Sequence, residues 1–362
     1  MSVRKIALSL LIVIVPILTG CGGSNSSSPS GPPVTAMARF ALVANVSSNS
    51  ISTYAIDGHT GQLTPKATVP TGGVTSRIVA LEPSGRFAFV GNFGSNDISV
   101  FAVDANSGSL TMVGSTVPAG SGPRSIVVGP TGNLLYEVNQ QADNISGFSI
   151  NSATGALTAL TGTVATDDAP VELKFHPSGH FAYVANFNSG DVTVYGVDNS
   201  GALGLLGAVP IGLNPTSIGI EPSGRFAYVA TLASNQITAF TIDQTSGALT
   251  RLSPSVSTGD GPTSVLVDAK GRFVYVTNAI EGNVSIFAID VATGALRPLS
   301  TVLAGTNPVA LTLDSSGLFA YVANQGSDNV TTFAVDPTTG ALTPAGPAVA
   351  AGTGPASVIL VR

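Results

Sequence analysis

Charged side chains are scarce in this chain, and four of them are placed where they could do chemistry. Of 362 residues, only 14 are Lys or Arg and 20 are Asp or Glu. Arg77 and Arg124 occupy equivalent positions at the start of two short apolar segments, and Glu172 and Lys174 alternate in the next such segment. A carboxylate can activate water as a general base, and a guanidinium group can hold a carboxylate or a developing oxyanion. These residues therefore predict a pocket for an anionic or polyhydroxylated ligand, with Glu172, Arg124 and Arg77 as the candidate catalytic groups.

Three further ionisable residues lie beside this set in the sequence. Asp167 and Asp168 occur in the loop that leads into the segment of Glu172, and His176 continues the alternation of Glu172 and Lys174. Alternate residues of an extended strand project from one face. We therefore expect Lys174, Asp167, Asp168 and His176 to contribute to ligand binding.

The same charges also admit a structural interpretation. In that case Arg77 and Arg124 form ion pairs with Glu172, Asp167 or Asp168 between neighbouring units of the fold. Most other acids recur at fixed positions of a repeat, where an Asp side chain can bond backbone N–H groups two residues on and stabilise a turn. The six aspartates that open such a turn are Asp57, Asp104, Asp198, Asp243, Asp290 and Asp336.

Residue types and spacing exclude several other kinds of site. The three histidines, His59, His176 and His180, do not fit a serine-hydrolase triad, and their spacing is not that of zinc ligands. We therefore expect neither a metal nor another cofactor. The formal net charge of −6 disfavours binding to nucleic acid.

A repeat supplies the elements that must position these residues. The motif RFALVAN at residues 39–45 returns in variant form six more times, at spacings of 45 to 47 residues. Each repeat contains four short runs rich in Val, Ile, Phe and Tyr, separated by Gly, Asn, Asp and Pro. Four strands in such a period are typical of a propeller blade. The sequence therefore predicts an all-β fold, a seven-bladed β-propeller of four-stranded antiparallel blades.

The two ends of the repeat region are out of phase, which predicts how the ring closes. The region begins at Arg39–Asn45 with the second strand of a blade. It ends with Pro355–Arg362, which matches the first strand of the other repeats. We expect this C-terminal strand to pair with the first repeat and close the ring, because closure removes exposed sheet edges.

The repeats resemble the YVTN-type β-propeller repeat and, more closely, the lactonase family related to 6-phosphogluconolactonase. The resemblance covers residues 37–362 and rests on the FAYVAN cores, the Pro-Ser-Gly turns and Asp-x-x-x-Gly-Ala-Leu turns such as Asp243–Leu249. It implies hydrolysis of a lactone ring. Glu172 would be the base in that reaction, and Arg77 or Arg124 would hold the developing oxyanion.

The chain departs from the family pattern at two positions. The family carries Gly-Pro-Arg-His at a strand start and Asn-Glu-Leu after the next strand. Here the corresponding segments are Gly122–Ser125 and Asn139–Gln141, which keep Arg124 but have Ser125 and Gln140 in place of the His and the acid. The alternative function is therefore a non-catalytic propeller that binds a glycan, a peptide or a protein partner.

The N-terminus resembles a bacterial lipoprotein signal. Arg4 and Lys5 precede the apolar run Ile6–Leu18, which leads into Leu-Thr-Gly-Cys with Cys21 as the only cysteine. This run is too short to span a bilayer and is typical of a signal peptide. The resemblance implies a signal peptide at residues 1–20, cleavage before an acylated Cys21, a flexible tether at 21–36 and the propeller at 37–362. We expect a monomer anchored by this lipid to a membrane of the cell envelope, with a small lactone or carbohydrate-like ligand.

Overall fold

Each repeat folds into one antiparallel sheet, and seven such sheets are the blades of a propeller. The computed structural model describes residues 39–362, so the predicted signal peptide, tether and acylated Cys21 lie outside the described residues. We number the blades 1 to 7 by the chain order of their second strands. The all-β, seven-bladed architecture predicted from the repeats is confirmed.

In blades 2 to 7 the strands run in chain order from an inner strand beside the central channel to an outer strand, and in blade 1 the inner strand is the last of the chain. From blade 1 to blade 7, the inner strands are Pro355–Val361, Ser76–Leu81, Pro123–Val128, Pro170–Phe175, Pro215–Ile220, Pro262–Val267 and Pro308–Leu313. The second strands are Phe40–Asn45, Phe87–Asn92, Leu134–Asn139, Phe181–Asn186, Phe226–Thr231, Phe273–Asn278 and Phe319–Asn324. The third strands are Ser50–Ile56, Asp97–Val103, Asn144–Ile150, Asp191–Val197, Gln236–Ile242, Asn283–Ile289 and Asn329–Val335.

The outer strands are of two kinds. Blades 1, 3, 4 and 6 have one continuous outer strand: Leu63–Pro70, Leu157–Ala165, Leu203–Pro210 and Leu296–Leu303. In blades 2, 5 and 7 it is split into two pieces: Leu110–Met112 and Val117–Pro118, Leu249–Arg251 and Val256–Ser257, Leu342–Pro344 and Val349–Ala350.

The second strands are buried along their whole length in all seven blades. Each blade packs between two neighbours, so both faces of these strands need apolar side chains. The second strands therefore lack the alternation of apolar and polar residues that is typical of half-buried strands. The core consists of clusters between adjacent blades; one of them joins Leu42 of blade 1 to Phe101 of blade 2.

The Asp-x-x-x-Gly turns connect each blade to the preceding one, with Asn151–Gly155 taking this place in blade 3 and the shorter Asp198–Gly201 in blade 4. The carboxylate of Asp57 accepts the N–H groups of His59 and Thr60 at 2.9 Å each, as predicted for the recurring aspartates. Gly61 has φ near +70°, and a Cβ atom there would lie 2.3 Å from the ring of Phe319 in blade 7. The hydroxyl of Tyr321 donates to the carbonyl of Gly61 at 2.9 Å. Only glycine fits this turn, because the backbone is left-handed and the ring leaves no room for a side chain.

The ring closes as the phase of the repeats predicts. Pro355–Val361 pairs antiparallel with Phe40–Asn45, from Phe40 opposite Val361 to Asn45 opposite Pro355. Blade 1 thus takes its inner strand from the C-terminus and its other strands from the start of the repeat region. The compact unit Ala36–Arg362 contains all seven blades and the strand pairing that closes the ring. No helix among the described residues is long and apolar enough to cross a membrane.

Removal of Pro355–Arg362 from a protein of residues 36–362 is expected to abolish its cooperative thermal transition or to lower Tm by more than about 10 °C, roughly the effect of 3–5 kcal/mol. The deletion uncovers the second strand of blade 1 and removes Val358 and Val361, which are 7% and 1% exposed. Each buried valine contributes about 1.5–3 kcal/mol, against a total stability of about 5–15 kcal/mol. Circular dichroism melts measure the effect. Deletion of the exposed Arg362 alone is the control, and equal melting of the long deletion and this control would contradict the closure.

Candidate functional site

The inner strands surround a central cavity of about 510 Å³. The residue that follows the first position of each inner strand contributes to a ring around this cavity. In blade order the ring residues are Ala356, Arg77, Arg124, Val171, Thr216, Thr263 and Val309. Blades 2 and 3 are the only ones that place a charged side chain in this ring.

A β-bulge explains how the two arginines reach the cavity. In blade 2, Ser76 pairs with Asn92 and Ile78 with Gly91, which leaves Arg77 as the extra residue. In blade 3, Arg124 is the extra residue between Pro123 and Ser125. A bulge bends the strand and redirects the side chain of its extra residue. The fold thus turns two equivalent arginines towards the channel.

Both arginines are partly buried, and neither guanidinium group has a hydrogen-bond or ion-pair partner among residues 39–362. Burial lowers the pKa of Arg77 below its usual value, and Nε of Arg77 has no hydrogen-bond partner. Burial and the positive charge of Arg77 lower the pKa of Arg124 to about 9, although Glu172 opposes the shift. Within residues 39–362, neither guanidinium forms an ion pair; the ion pair seen there joins Lys174 to Glu172. The interblade pairs of arginine with Glu172, Asp167 or Asp168, considered from the sequence, are therefore not formed.

Glu172 and Lys174 line the same cavity as the arginines. One carboxylate oxygen of Glu172 lies 2.9 Å from Nζ of Lys174, and the other accepts the backbone N–H of Ile218 in blade 5 at 2.8 Å. The side chains of Lys174 and Glu172 are 42% and 21% exposed. Each carboxylate oxygen keeps a second lone pair, so Glu172 can still accept a proton or a hydrogen bond from the cavity.

Glu172 occupies a position that is serine in other blades. The hydroxyl of Ser217 in blade 5 accepts the N–H of Val265 in blade 6 at 2.9 Å, and Ser357 of blade 1 accepts the N–H of Val79 at 3.4 Å. Glu172 accepts the equivalent N–H, that of Ile218. Its carboxylate therefore serves the contact between blades 4 and 5 while it also faces the channel.

The other predicted ligand-binding residues lie away from the cavity lining. The carboxylate of Asp167 accepts the Thr193 hydroxyl at 3.1 Å, and that of Asp168 accepts the side-chain amide of Asn188 at 3.2 Å. Both aspartates are exposed near the turn between the second and third strands of blade 4. The structure thus brings Arg77, Arg124, Glu172 and Lys174 together and leaves Asp167 and Asp168 outside.

His176 lies at the opposite end of the inner strand of blade 4. Its Nδ1 accepts the N–H of Ser178 at 3.1 Å, so Nε2 carries the proton and donates to the carbonyl of Gly224 at 2.8 Å. Other blades have an acid at this position; the carboxylate of Glu221, for example, accepts the N–H of Ser223. Both ring nitrogens of His176 are thus engaged in the turn and in the contact with blade 5.

Reasoning from the sequence missed Phe187 of the site, and it named Gln140 only as the residue that replaces the family's acid. A smaller cavity of about 200 Å³ at the mouth of the channel is lined by Arg77, Arg124, Gln140, Val171, Phe187 and Thr216. Gln140 and Phe187 each follow the asparagine that ends a second strand. This shared repeat position was a signal that could have identified them. Among the described residues, no group of three His, Cys, Asp or Glu side chains could hold a metal ion.

Glu137 is a fully buried acid between blades 2 and 3. Burial raises its pKa to about 7, the N–H of Gly120 opposes this shift, and the charge of Asp97 adds to it. One carboxylate oxygen accepts that N–H at 3.2 Å, and the other is buried without a partner. At this position the other six repeats all carry Val, at residues 43, 90, 184, 229, 276 and 322.

The chain belongs to the lactonase family of seven-bladed β-propellers. Its sequence matches the model of that family over residues 11–122, 79–171, 116–267 and 253–359. A search among curated proteins gives no significant match.

Three solved structures share the fold at low sequence identity. The periplasmic gluconolactonase of Pseudomonas aeruginosa has a TM-score of 0.79 and 22% identity, with 90% of this chain and 99% of that chain covered. A protein of Bacteroides fragilis assigned as a 6-phosphogluconolactonase has a TM-score of 0.79 and 18% identity, with coverages of 92% and 100%. A protein of Lactobacillus plantarum has a TM-score of 0.80 and 22% identity, with coverages of 90% and 100%.

Replacement of Glu137 by glutamine is expected to remove a pH-dependent loss of stability. The folded pKa of about 7 exceeds the ordinary value of 4.5, so ionisation disfavours folding. The resulting loss in the free energy of unfolding is absent below pH 4.5, grows as the pH rises to 7 and reaches about 3 kcal/mol above that. Urea unfolding at pH 5, 6, 7 and 8 should show Glu137→Gln gaining stability over the wild type as the pH rises.

Glu82→Gln is the matched control for this experiment. Burial raises the pKa of Glu82, but hydrogen bonds from Ser84, Arg86 and Phe87 outweigh it and lower that pKa overall. Glu82 therefore contributes stability above its ordinary pKa and loses it only in acid, so its effect should be constant from pH 5 to 8. A constant difference for Glu137→Gln as well would show that Glu137 ionises freely in the folded protein.

Proposed function

We propose that this chain binds a small anionic compound at the mouth of its central channel, with Arg77 and Arg124 as the groups that hold the anion. The observation that carries the proposal is two neighbouring, partly buried guanidinium groups without an ion-pair partner among the described residues. A buried charge without a partner is costly, and this cost is relieved when a ligand supplies the opposite charge. Arginine presents a planar fork of donors that matches a carboxylate or a phosphate.

The reaction that best fits this site is hydrolysis of a lactone. Opening the ring forms an oxyanion and then a carboxylate, and either can be held by Arg77 and Arg124. Glu172 acts as the base that activates water, and Lys174 lies 2.9 Å from its carboxylate. A sugar lactone is the substrate class suggested by the family and by the activities for which the P. aeruginosa and B. fragilis proteins are named.

Binding without hydrolysis is the second candidate, and it too has an observation in its favour. Both oxygens of Glu172 already serve Lys174 and the N–H of Ile218, as a structural residue would. Gln140, which lines the mouth, is neutral and cannot act as a base. The propeller would then present its bound anion, glycan or peptide to another component of the cell envelope.

The proposed location is the cell envelope, with the propeller anchored through an acylated Cys21. The proposal rests on the lipoprotein-like sequence around Cys21 and on the periplasmic location in the name of the P. aeruginosa protein. Two or three acyl chains suffice for stable attachment to a membrane. The anionic ligand would then reach the channel from the surrounding aqueous compartment.

Replacement of Arg124 by methionine is expected to raise the stability of the free protein and to abolish its stabilisation by anions. The substitution removes an unpaired charge and keeps the length of the side chain, so a gain of about 2 kcal/mol is expected. Wild-type protein should show a Tm that rises with phosphate or gluconate, because a ligand of the folded state stabilises it. Arg297→Met, on the exposed outer strand of blade 6, is the control and should keep the anion effect. Equal anion responses in Arg124→Met and wild type would exclude the proposed anion site.

Replacement of Glu172 by serine separates its structural role from its catalytic role. Serine recreates the interblade acceptor seen at Ser217 and Ser357, so Tm should stay close to that of the wild type. Glu172→Ala should lose about 1–3 kcal/mol, because the N–H of Ile218 is left without its acceptor. Loss of general-base catalysis should lower kcat/KM for an aldonolactone about 10²–10⁴-fold in both variants.

A panel of aldonolactones, with and without a phosphate group, provides the assay for this experiment. Wild-type activity that survives in Glu172→Ser would exclude Glu172 as the base. A wild-type rate equal to that of buffer across the panel, together with anion-dependent stabilisation, would favour binding without hydrolysis.

A further inference from the structure

The outer strand of each blade is an open sheet edge, and most blades carry a device that prevents pairing with another strand. Exposed edges present unpaired N–H and C=O groups, which proline, Lys or Arg, or interruption of the strand can protect. The outer strands of blades 2, 5 and 7 are interrupted. Those of blades 1 and 6 contain a proline and a base: Pro65 with Lys66, and Pro298 with Arg297.

The outer strand of blade 4 has none of these devices along its exposed length. Leu203–Pro210, with the sequence LGLLGAVP, is continuous, uncharged and free of proline before its last residue. Leu205 and Leu206 are 66% and 56% exposed. An exposed, uncharged edge with large apolar side chains is a site for pairing with another strand.

Comparison with blade 1 shows that the difference lies in the side chains and not in the backbone. Leu205 pairs with Tyr195, as Pro65 pairs with the equivalent Tyr54 of blade 1. The bulged residue that follows is Leu206 in blade 4 and Lys66 in blade 1. The same backbone thus carries Leu-Leu in one blade and the protective Pro-Lys in the other.

The outer strand of blade 3 is also uncharged but offers a poorer edge. In Leu157–Ala165, Ser146 pairs with Thr163 and Phe148 with Ala159, so two extra residues interrupt the ladder. In blade 4 only one extra residue is present. In blade 3 the leucine in the bulge is Leu160, which is 45% exposed and so less exposed than Leu205 or Leu206 of blade 4.

We propose that the outer strand of blade 4 pairs with the same strand of a second copy of this chain. Antiparallel pairing of two identical strands has a two-fold axis, so the interface closes as a dimer and does not propagate. Like charges opposite each other destabilise a strand pair, and two copies of Lys66 or Arg297 would meet at the edges of blades 1 and 6. The blade 4 edge brings no charge against its copy and places leucines beside leucines.

The proposed dimer differs from the monomer expected from the sequence. It is independent of the proposed function, because the outer strand of blade 4 lies at the rim and does not line the channel. The channel of each copy stays open in the pair. Loss of the dimer therefore leaves lactone hydrolysis or anion binding unchanged.

The test is sedimentation velocity of residues 36–362 from about 1 µM to 1 mM, the range of a weak to moderate association. The variant Leu205→Pro with Leu206→Lys gives blade 4 the residues that blade 1 has at the same backbone positions, so it should fold. Wild-type protein should show a concentration-dependent dimer, and the double variant should associate at least tenfold more weakly.

Leu303→Lys is the matched control, since Leu303 is a 76% exposed leucine on the outer strand of blade 6. This variant should dimerise like the wild type. Circular dichroism melts confirm that each variant is folded. A wild-type protein that stays monomeric over the whole range, or a dimer that persists unweakened in the double variant, would overturn the proposal.

Discussion

Packing of every blade between two neighbours is the constraint on which the rest of this structure depends. A four-stranded sheet that buries both faces has no stable existence alone, and the ring exists because Pro355–Val361 completes the sheet that begins with Phe40–Asn45. The repeated contacts all serve this packing. Tyr321 donates to Gly61 across the junction of blades 7 and 1, at the place where tyrosines of other blades donate to the next turn. Apart from Glu137, the charged residues lie in turns and on edge strands, because the blade interfaces have no water to solvate a charge.

The candidate site is a departure from this regularity. A bulge in each inner strand turns one residue towards the channel, and five of the seven blades place a neutral residue there. Blades 2 and 3 place arginines there instead, close enough for one positive charge to lower the pKa of the other. Glu172 does not neutralise them by an ion pair, since its carboxylate is held by Lys174 and by the N–H of Ile218. The fold thus tolerates an unfavourable pair of cations at the entrance to its central cavity, which is the arrangement expected of an anion site.

The features that recur in every repeat could be predicted from the sequence. The residues that depart from the repeat could be identified from the sequence, but their contacts in the fold could not. Spacing and composition predicted the blades, the closure and the role of aspartates such as Asp57, because these depend on local rules repeated seven times. The repeats also singled out Arg77, Arg124, Glu172 and Lys174, which share one cavity. The sequence did not show that Glu172 replaces a serine between blades, because this depends on a contact with Ile218 about 46 residues away. Nor did it show that Asp167 bonds to Thr193 outside the cavity, because loop geometry is not set by strand alternation.

The most direct test of the central claim is a crystal structure of residues 36–362 soaked in bromide, with anomalous differences used to locate the anion. If Arg77 and Arg124 form an anion site, the strongest bromide peak lies between them, within hydrogen-bond distance of both guanidinium groups. A crystal in which bromide occupies only exposed basic residues such as Arg39 or Arg86, with no peak at the mouth of the channel, would contradict the account.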